Sequence, residues 1–375
     1  MSLTAVLVET TVKASLVMLA GLVAIACLRR RSAALRHWML SAAIVAAMAA
    51  PVLGLVMPSW HVPIDAIPRP RRLAAAARTE VAIVLPRSAG DASRPPTAAA
   101  RSLAPITAVI ETTWIAGAGV SLLILVIGLS RLAWVASSAR RVADGRWADL
   151  AAEVARDYGL RRPVVILQSD HPALLVTWGF VQPKIILPPT AQDWSDARIR
   201  VVLSHEFAHI KRGDWLIQMV AEIARAGFWF NPVMWIACRR LRQESEQATD
   251  DVVLHAGIDG SEYAAHLLEL ARAFSRHRSW IPAPAIARPS SLERRVRAML
   301  NARVNRAPIT RTARLAIVAA LSAVAIAIAS AQGAFSTFSG TVFDPLNGYL
   351  PGVTMTLTNT QSGAKHEIQI GRAHV

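Results

Sequence analysis

Four apolar stretches, each about 20 residues long, restrict how this chain can fold more than any other feature. They occupy residues 5–28, 38–57, 113–135 and 313–331. About 20 apolar residues are what a helix needs to cross the hydrocarbon core of a bilayer. With 53% hydrophobic residues and a mean hydropathy of +0.36, the chain is too apolar for an ordinary soluble protein. The sequence therefore predicts a multi-pass α-helical membrane protein.

Clustered arginines predict the orientation of these spans, because short loops rich in Lys and Arg stay on the cytoplasmic side. One cluster fills the first connection and another precedes the fourth span: Arg29, Arg30, Arg31 and Arg36, then Arg294, Arg295, Arg297, Arg303, Arg306, Arg311 and Arg314. The region between the third and fourth spans is then cytoplasmic. The loop at 59–105 is predicted outside, although it carries seven arginines.

The net charge of +16 raises the question of nucleic-acid binding. Arginines next to apolar spans are explained by topology and by anionic lipid headgroups. The chain has no alternation of aromatic and basic residues and no known nucleic-acid motif. We therefore predict the lipid bilayer as a partner and no direct contact with nucleic acid.

The stretch His205-Glu206-Phe207-Ala208-His209 carries the chemistry. In a helix, His205 and His209 lie one turn apart on the same face, because residues four apart are neighbours. Two imidazoles so placed can take two corners of a tetrahedral metal site, and the adjacent Glu206 can handle the proton of an activated water. The pattern predicts a Zn²⁺ site of the His-Glu-x-x-His peptidase type. The alternative is an amphipathic helix with solvated or core histidines.

A carboxylate from a second helix can complete such a site. Asn231 and Pro232 read as the N-cap and first residue of a helix that carries Glu246 and Asp250 four residues apart. This spacing offers a metal ligand, Glu246, and one turn further on a carboxylate that can hold a ligating imidazole by its other nitrogen. Glu244 is the rival for the ligand role.

Three segments then carry a resemblance to a known family. They are residues 205–214, 228–235 and 246–254, which read HEFAHIKRGD, FWFNPVMW and EQATDDVVL. They resemble the membrane metallopeptidase domain of BlaR/MecR-type sensor-transducers, and the similarity covers roughly residues 140–300. The family usually has His where Asn231 stands.

The resemblance implies a role for each residue of the site. His205, His209 and Glu246 would bind zinc, Glu206 would be the catalytic general base, and Asp250 would support a ligand from behind. The implied fold of this part is an α+β zincin-type cytoplasmic metallopeptidase domain.

Local patterns predict the elements around the motif. Short β-branched runs at 163–167, 173–178 and 184–187 predict a small antiparallel sheet packed on the zinc helix. In zinc peptidases such a sheet commonly offers an edge to which a substrate adds as an extended strand. Helices are predicted at 139–158, at 194–211 with Asp193 as its cap, at 214–230, at 257–278 and, basic and amphipathic, at 291–303.

Beyond the fourth span, residues 338–345 and 350–359 alternate apolar and polar side chains around Pro and Gly turns. They predict the start of a β-sandwich and resemble the carboxypeptidase regulatory-like domain. About 36 residues cannot close such a sandwich. The last six residues read like a translated sequencing adapter, so we expect the native C-terminus to be missing.

The predicted organisation has five parts. They are three transmembrane helices with an outer loop (1–135), the cytoplasmic zinc metallopeptidase domain (136–310), the fourth transmembrane helix (311–332), an incomplete extracytoplasmic β domain (333–369) and an artefactual tail (370–375).

The predicted function is that of a zinc endopeptidase in a bacterial inner membrane. It would cleave a cytosolic protein, such as a transcriptional repressor, or itself, in response to an external signal. The alternatives are a constitutive quality-control peptidase and a non-catalytic signalling scaffold with a structural zinc. A homodimer is one candidate for the oligomeric state, which the sequence leaves open.

Overall fold

A computed structural model describes residues 3–56, 104–172, 174–275, 289–330, 354–358 and 365–369. Residues 59–103 of the predicted outer loop, the strand predicted at 338–345 and the tail at 370–375 lie outside the described residues, whereas residues 104 and 105 already belong to a helix. The helices and a small sheet form one unit, and a C-terminal hairpin belongs to a second.

The four predicted spans all fall on helices. These are α1 (Leu3–Cys27), α2 (Ala33–Val56), α3 (Ala104–Ser138) and α10 (Arg311–Ser330). By length and composition, α1 and residues 106–138 of α3 are long and apolar enough to cross a membrane, and 33–49 is a shorter apolar helix. The crossings predicted for α2 and α10 therefore stay predictions.

Helices α1 and α2 pack on each other and against two helices of the motif region, α6 (Asp214–Gly227) and α7 (Pro232–His255). Their shared apolar core contains Met18, Leu40, Ile44, Ala224 and Met234. Small residues allow the close approach: a Cβ on Gly21 would lie only 2.9 Å from the Cβ of Ala43. The first two helices are thus joined to the helix that carries Glu246.

A four-stranded sheet lies next to the motif. Its order is β1 (Arg140–Arg141), β2 (Val165–Gln168), β4 (Lys184–Leu187) and β3 (Val176–Trp178). The prediction of an antiparallel sheet is wrong in one pairing, because β2 and β4 run parallel. The chain from β2 forms β3 first and returns through a turn at Gly179, so β4 inserts between β2 and β3. Among the described strands, β3 is an edge.

The remaining helices of this unit pack with the sheet. They are α4 (Arg146–Asp157), α5 (Asp196–Arg212), α8 (Gly260–Ser275) and α9 (Pro289–Leu300), and α5 carries the motif with the two histidines. They share an apolar core with the sheet that includes Trp147, Ile185, Leu203, Phe207 and Met299.

Two predicted helix starts are wrong. The helix expected from 139 begins only at Arg146, because Arg140–Arg141 pair with β2 and Gly145, with a φ of 86°, turns the chain. Asp193 ends a short 3₁₀ helix instead of capping α5; that role belongs to Ser195, whose side chain accepts the amide hydrogen of Arg198.

The C-terminal hairpin pairs β5 (Thr354–Thr358) with β6 (Lys365–Gln369) in antiparallel register. The hairpin agrees with the strand predicted at 350–359. Two strands do not make a sandwich, so the β-sandwich stays a prediction.

Candidate metal centre

Helix α5 places two imidazoles side by side. It ends at Gly213, whose left-handed backbone (φ 70°) lets its N–H donate to the carbonyls of His209 and Ile210. The Nε2 atoms of His205 and His209 lie 3.2 Å apart, and the two rings are nearly perpendicular. His205 is buried and His209 is partly buried, so both rings point into the protein.

Helix α7 brings Glu246 to the same point. One carboxylate oxygen lies 3.6 Å from Nε2 of His205, and the other lies 3.9 Å from Nε2 of His209. One ligand atom from each of the three residues lies within 4.8 Å of the others. The rival Glu244 points elsewhere, because its carboxylate accepts a 2.8 Å hydrogen bond from Nε of Arg36. The geometry thus favours Glu246 over Glu244 as the third candidate ligand.

These residues fit a divalent metal ion. Oε2 of Glu246 is buried and has no hydrogen-bond partner among the described residues, although Nη1 of Arg295 lies 3.0 Å away. A buried carboxylate needs a cation nearby, and a metal ion bound to this oxygen would add to the charge of Arg295 and occupy lone pairs that no hydrogen-bond donor of the described residues fills. Two imidazole nitrogens and one carboxylate oxygen match the protein ligands of a catalytic zinc, which keeps its remaining position open.

Each imidazole is held from behind, as metal-binding histidines usually are. Nδ1 of His209 lies 2.8 Å from a carboxylate oxygen of Asp214. Nδ1 of His205 lies 2.8 Å from the hydroxyl of Tyr263 and 3.4 Å from Asp250, and this hydroxyl donates to Asp250 at 2.6 Å. Asp250 therefore lies where the sequence predicted a supporting carboxylate, with Tyr263 in the nearer position.

Arg295 of α9 neutralises the acidic side of the centre. It is 3% exposed, and its guanidinium donates to both oxygens of Asp250 at 2.8 and 2.7 Å, besides its contact with Glu246. The sequence context of this arginine predicts only that it is part of a basic cluster on an amphipathic helix.

The charges shift the pKa values of the group. Burial raises the pKa of Glu246, but Arg295 and His205 outweigh it and lower this pKa to about 2. Burial likewise opposes ionisation of Asp250, and Arg295 more than compensates, so its pKa lies well below the usual range. Burial lowers the pKa of His205, yet the neighbouring carboxylates of Asp250 and Glu246 raise it to about 9. Without a metal, this buried network balances two carboxylates with two cations.

Glu206 faces the sheet. It is buried, and the hydroxyl of Thr177, on edge strand β3, donates a hydrogen bond to its carboxylate. A small pocket beside it is lined by apolar side chains, including Leu175, Val202 and Leu267. The candidate general base therefore lies between the candidate metal ligands and a strand that is at the edge of the sheet among the described residues.

Four residues of the site are not among those that the sequence predicts: Thr177, Asp214, Tyr263 and Arg295. Asp214 could have been found, because it follows His209 by five residues across a helix break and opens the next helix. Tyr263 and Arg295 lie 58 and 90 positions after His205, and no local pattern links them to it.

The sequence is similar to one family of peptidases and to two proteins that bear the names BlaR1 and mecR1. A family model described as BlaR1 peptidase M56 matches residues 5–299. The regulatory protein BlaR1 of Bacillus licheniformis is 27% identical over 141 residues, which cover 38% of this chain and 24% of that protein. The methicillin resistance mecR1 protein of Staphylococcus aureus is 25% identical over 95 residues, 25% of this chain and 16% of that protein. The matches thus span about a quarter or less of these relatives.

Proposed function

The chain belongs to the BlaR1 peptidase M56 family, and we propose from this membership and the site geometry that it is a membrane-embedded zinc endopeptidase. It would hydrolyse peptide bonds in a cytosolic protein or in itself in response to an external signal. The observation that carries the proposal is the convergence of His205, His209 and Glu246 directly beside Glu206.

The residues divide the chemistry among them. His205, His209 and Glu246 would hold zinc, which when bound polarises an attacking water and the scissile carbonyl. Glu206 takes the proton of the water and delivers it to the leaving amine. Thr177 orients Glu206 through its hydrogen bond, and the packing around this carboxylate limits competing water.

The edge strand β3 supports a peptide substrate. Its backbone pairs with β4 on one side only among the described strands, and Thr177 at its centre contacts Glu206. An extended peptide could add to this edge by main-chain hydrogen bonds. Such a peptide would pass Glu206 and the metal ligands. We propose a transcriptional repressor as the target; the relative from Bacillus licheniformis is called a regulatory protein, which agrees with a role in regulation.

The proposed function also depends on how the chain crosses the membrane. Helices α1 and α3 have the length and composition of spans, and we propose that α2 and α10 also cross. The arginine clusters beside the spans support a catalytic domain on the cytoplasmic face. A structural zinc would need a fourth protein ligand, whereas the candidate group formed by the described residues has three members. Catalysis is therefore favoured over a scaffold role.

Cleavage by the purified full chain tests the proposal. The chain in detergent micelles is incubated with a co-expressed candidate repressor, with and without chelator, and the products are mapped by mass spectrometry. Glu206→Gln should keep its bound metal and lower the cleavage rate by about 100-fold or more, since general-base catalysis is lost. Glu153→Gln is the matched control, because Glu153 pairs with Arg200 on the surface. Undiminished proteolysis by Glu206→Gln would refute the mechanism.

A further inference from the structure

The first turns of α2 contact α7, which carries Glu246, and Asp214, the first residue of α6, which supports His209. Arg36 and His37 are 7% and 5% exposed, whereas Arg29, Arg30 and Arg31 in the preceding turn are exposed. If the only role of Arg36 were to keep this connection on the cytoplasmic side, its side chain could stay exposed. Burial of an arginine costs free energy unless the guanidinium is paired. These two side chains therefore have structural partners to explain.

Arg36 binds helix α7 on both sides of Glu246. Its Nε and Nη2 atoms lie 2.8 and 2.7 Å from Oε2 of Glu244, and Nη2 also lies 3.4 Å from the side-chain oxygen of Gln247. Its remaining nitrogen donates to the carbonyls of Arg29 and Arg31, which hold the guanidinium in place. The segment that carries Glu246 is thus fixed to α2 by a buried ion pair.

His37 approaches the support of His209. Its Nε2 lies 3.7 Å from Oδ1 of Asp214, the carboxylate that holds Nδ1 of His209 at 2.8 Å. The same carboxylate accepts hydrogen bonds from Arg212 of α5 at 3.1 Å and from Ser245 of α7 at 2.9 Å. Asp214 therefore contacts side chains of α2, α5 and α7 and at the same time contacts the candidate ligand His209 directly.

We propose that Arg36 and His37 are positioning residues for the metal centre, so that the placement of α2 sets the affinity of the site for its metal. Arg36 binds the segment of α7 that carries Glu246, and His37 lies next to Asp214, which contacts His209. A shift of α2 cannot occur without breaking a buried ion pair or moving one of these supports. This inference rests on the proposed function. It makes α2 the helix through which a conformational change in the membrane would alter metal binding.

Metal binding by the full chain tests this inference without any substrate. The metal-free protein in detergent is titrated with Co²⁺, and the dissociation constant and the d–d absorption bands are recorded. Partners that orient a ligand typically contribute 10–100-fold to metal affinity, so Arg36→Gln should raise the Kd for Co²⁺ by about 10-fold and change the bands. His37→Asn should raise the Kd by at least about twofold, a smaller effect because 3.7 Å exceeds hydrogen-bond distance.

Arg30→Gln is the matched control, since it removes one exposed positive charge a few residues before α2 and should leave the Kd unchanged. Glu244→Gln should weaken binding as Arg36→Gln does, and the double variant should lose no more than either single one, because the two side chains form one pair. Glu244→Gln also keeps the test decisive if Arg36→Gln does not fold.

The outcomes separate this inference from the proposed function. A wild-type chain that binds Co²⁺ but whose Arg36→Gln and Glu244→Gln variants bind equally well, with only a lower unfolding temperature, overturns the positioning role. A rise in Kd for Arg30→Gln as large as that for Arg36→Gln also overturns it. A wild-type chain that binds no metal removes the proposed function instead.

Discussion

Replacing Arg295 by Met should destabilise the protein, and more so without metal. The guanidinium makes contacts of 2.7 and 2.8 Å with Asp250 and of 3.0 Å with Glu246, and all three side chains are buried. Removing it leaves two buried carboxylates with His205 as the remaining cation of the network. Deleting one member of a buried ion pair typically costs about 3–5 kcal/mol.

The expected size of the effect follows from this cost. For a domain of 150–250 residues, 1 kcal/mol shifts the unfolding midpoint by about 2–4 °C, so Arg295→Met should lower it by about 6–20 °C without metal. A bound divalent cation would take over the neutralisation of Glu246. The loss should therefore be clearly smaller with metal, and metal should stabilise the variant more than the wild type.

Intrinsic tryptophan fluorescence during heating measures these midpoints in the full chain, with zinc or with chelator. Arg297→Met is the matched control, because Arg297 lies on the same helix and pairs with Glu293 at the surface. Asp250→Asn in the Arg295→Met background should recover part of the loss, since one buried charge is removed. A midpoint no lower than that of the control, or a loss independent of metal, would refute this account of Arg295.

Three further predictions concern the same centre. Asp214→Asn should weaken Zn²⁺ binding by about 10–100-fold in a chelator competition, because His209 loses the carboxylate at its Nδ1. Gly213→Ala should cost about 1–2 kcal/mol in thermal unfolding, since φ is 70° there and a Cβ meets no atom that could stabilise it; an unchanged midpoint would contradict this. Because the pKa of His205 is raised to about 9 without metal, the imidazolium must lose a proton to bind an ion. Metal affinity should then fall by about tenfold per pH unit below that value, and a pH-independent Kd between pH 6.5 and 8 would contradict it.

The sequence predicted the motif helix well because its signals are local. The spacing of His205 and His209 needs only helical geometry to put both on one face. Asn231 with Pro232 predicted the start of α7 correctly, since a side-chain oxygen on the first free amide and a fixed φ act within one turn. The family resemblance rests on these segments and is confirmed by the family model.

The sheet and two helix starts were harder to predict. A run of β-branched residues predicts a strand but not its neighbours, so the parallel pairing of β2 with β4 could not be read from it. Gly145 and Ser195 displaced helix starts by a few residues, because a turn or a cap is chosen together with the tertiary contacts of the chain.

What the sequence determined by itself is the chemistry on one helix: two imidazoles and a carboxylate at fixed spacing, in a chain with long apolar helices. Only the tertiary structure decided which distant groups complete the centre. Glu244 and Glu246 are equally acidic and two residues apart, and the choice between them follows from Arg36, which lies more than 200 positions earlier and occupies Glu244. Tyr263 and Arg295 are likewise single residues whose roles depend on buried charge balance. Such balance depends on which side chains share a low-dielectric space, and that is set by how the helices pack.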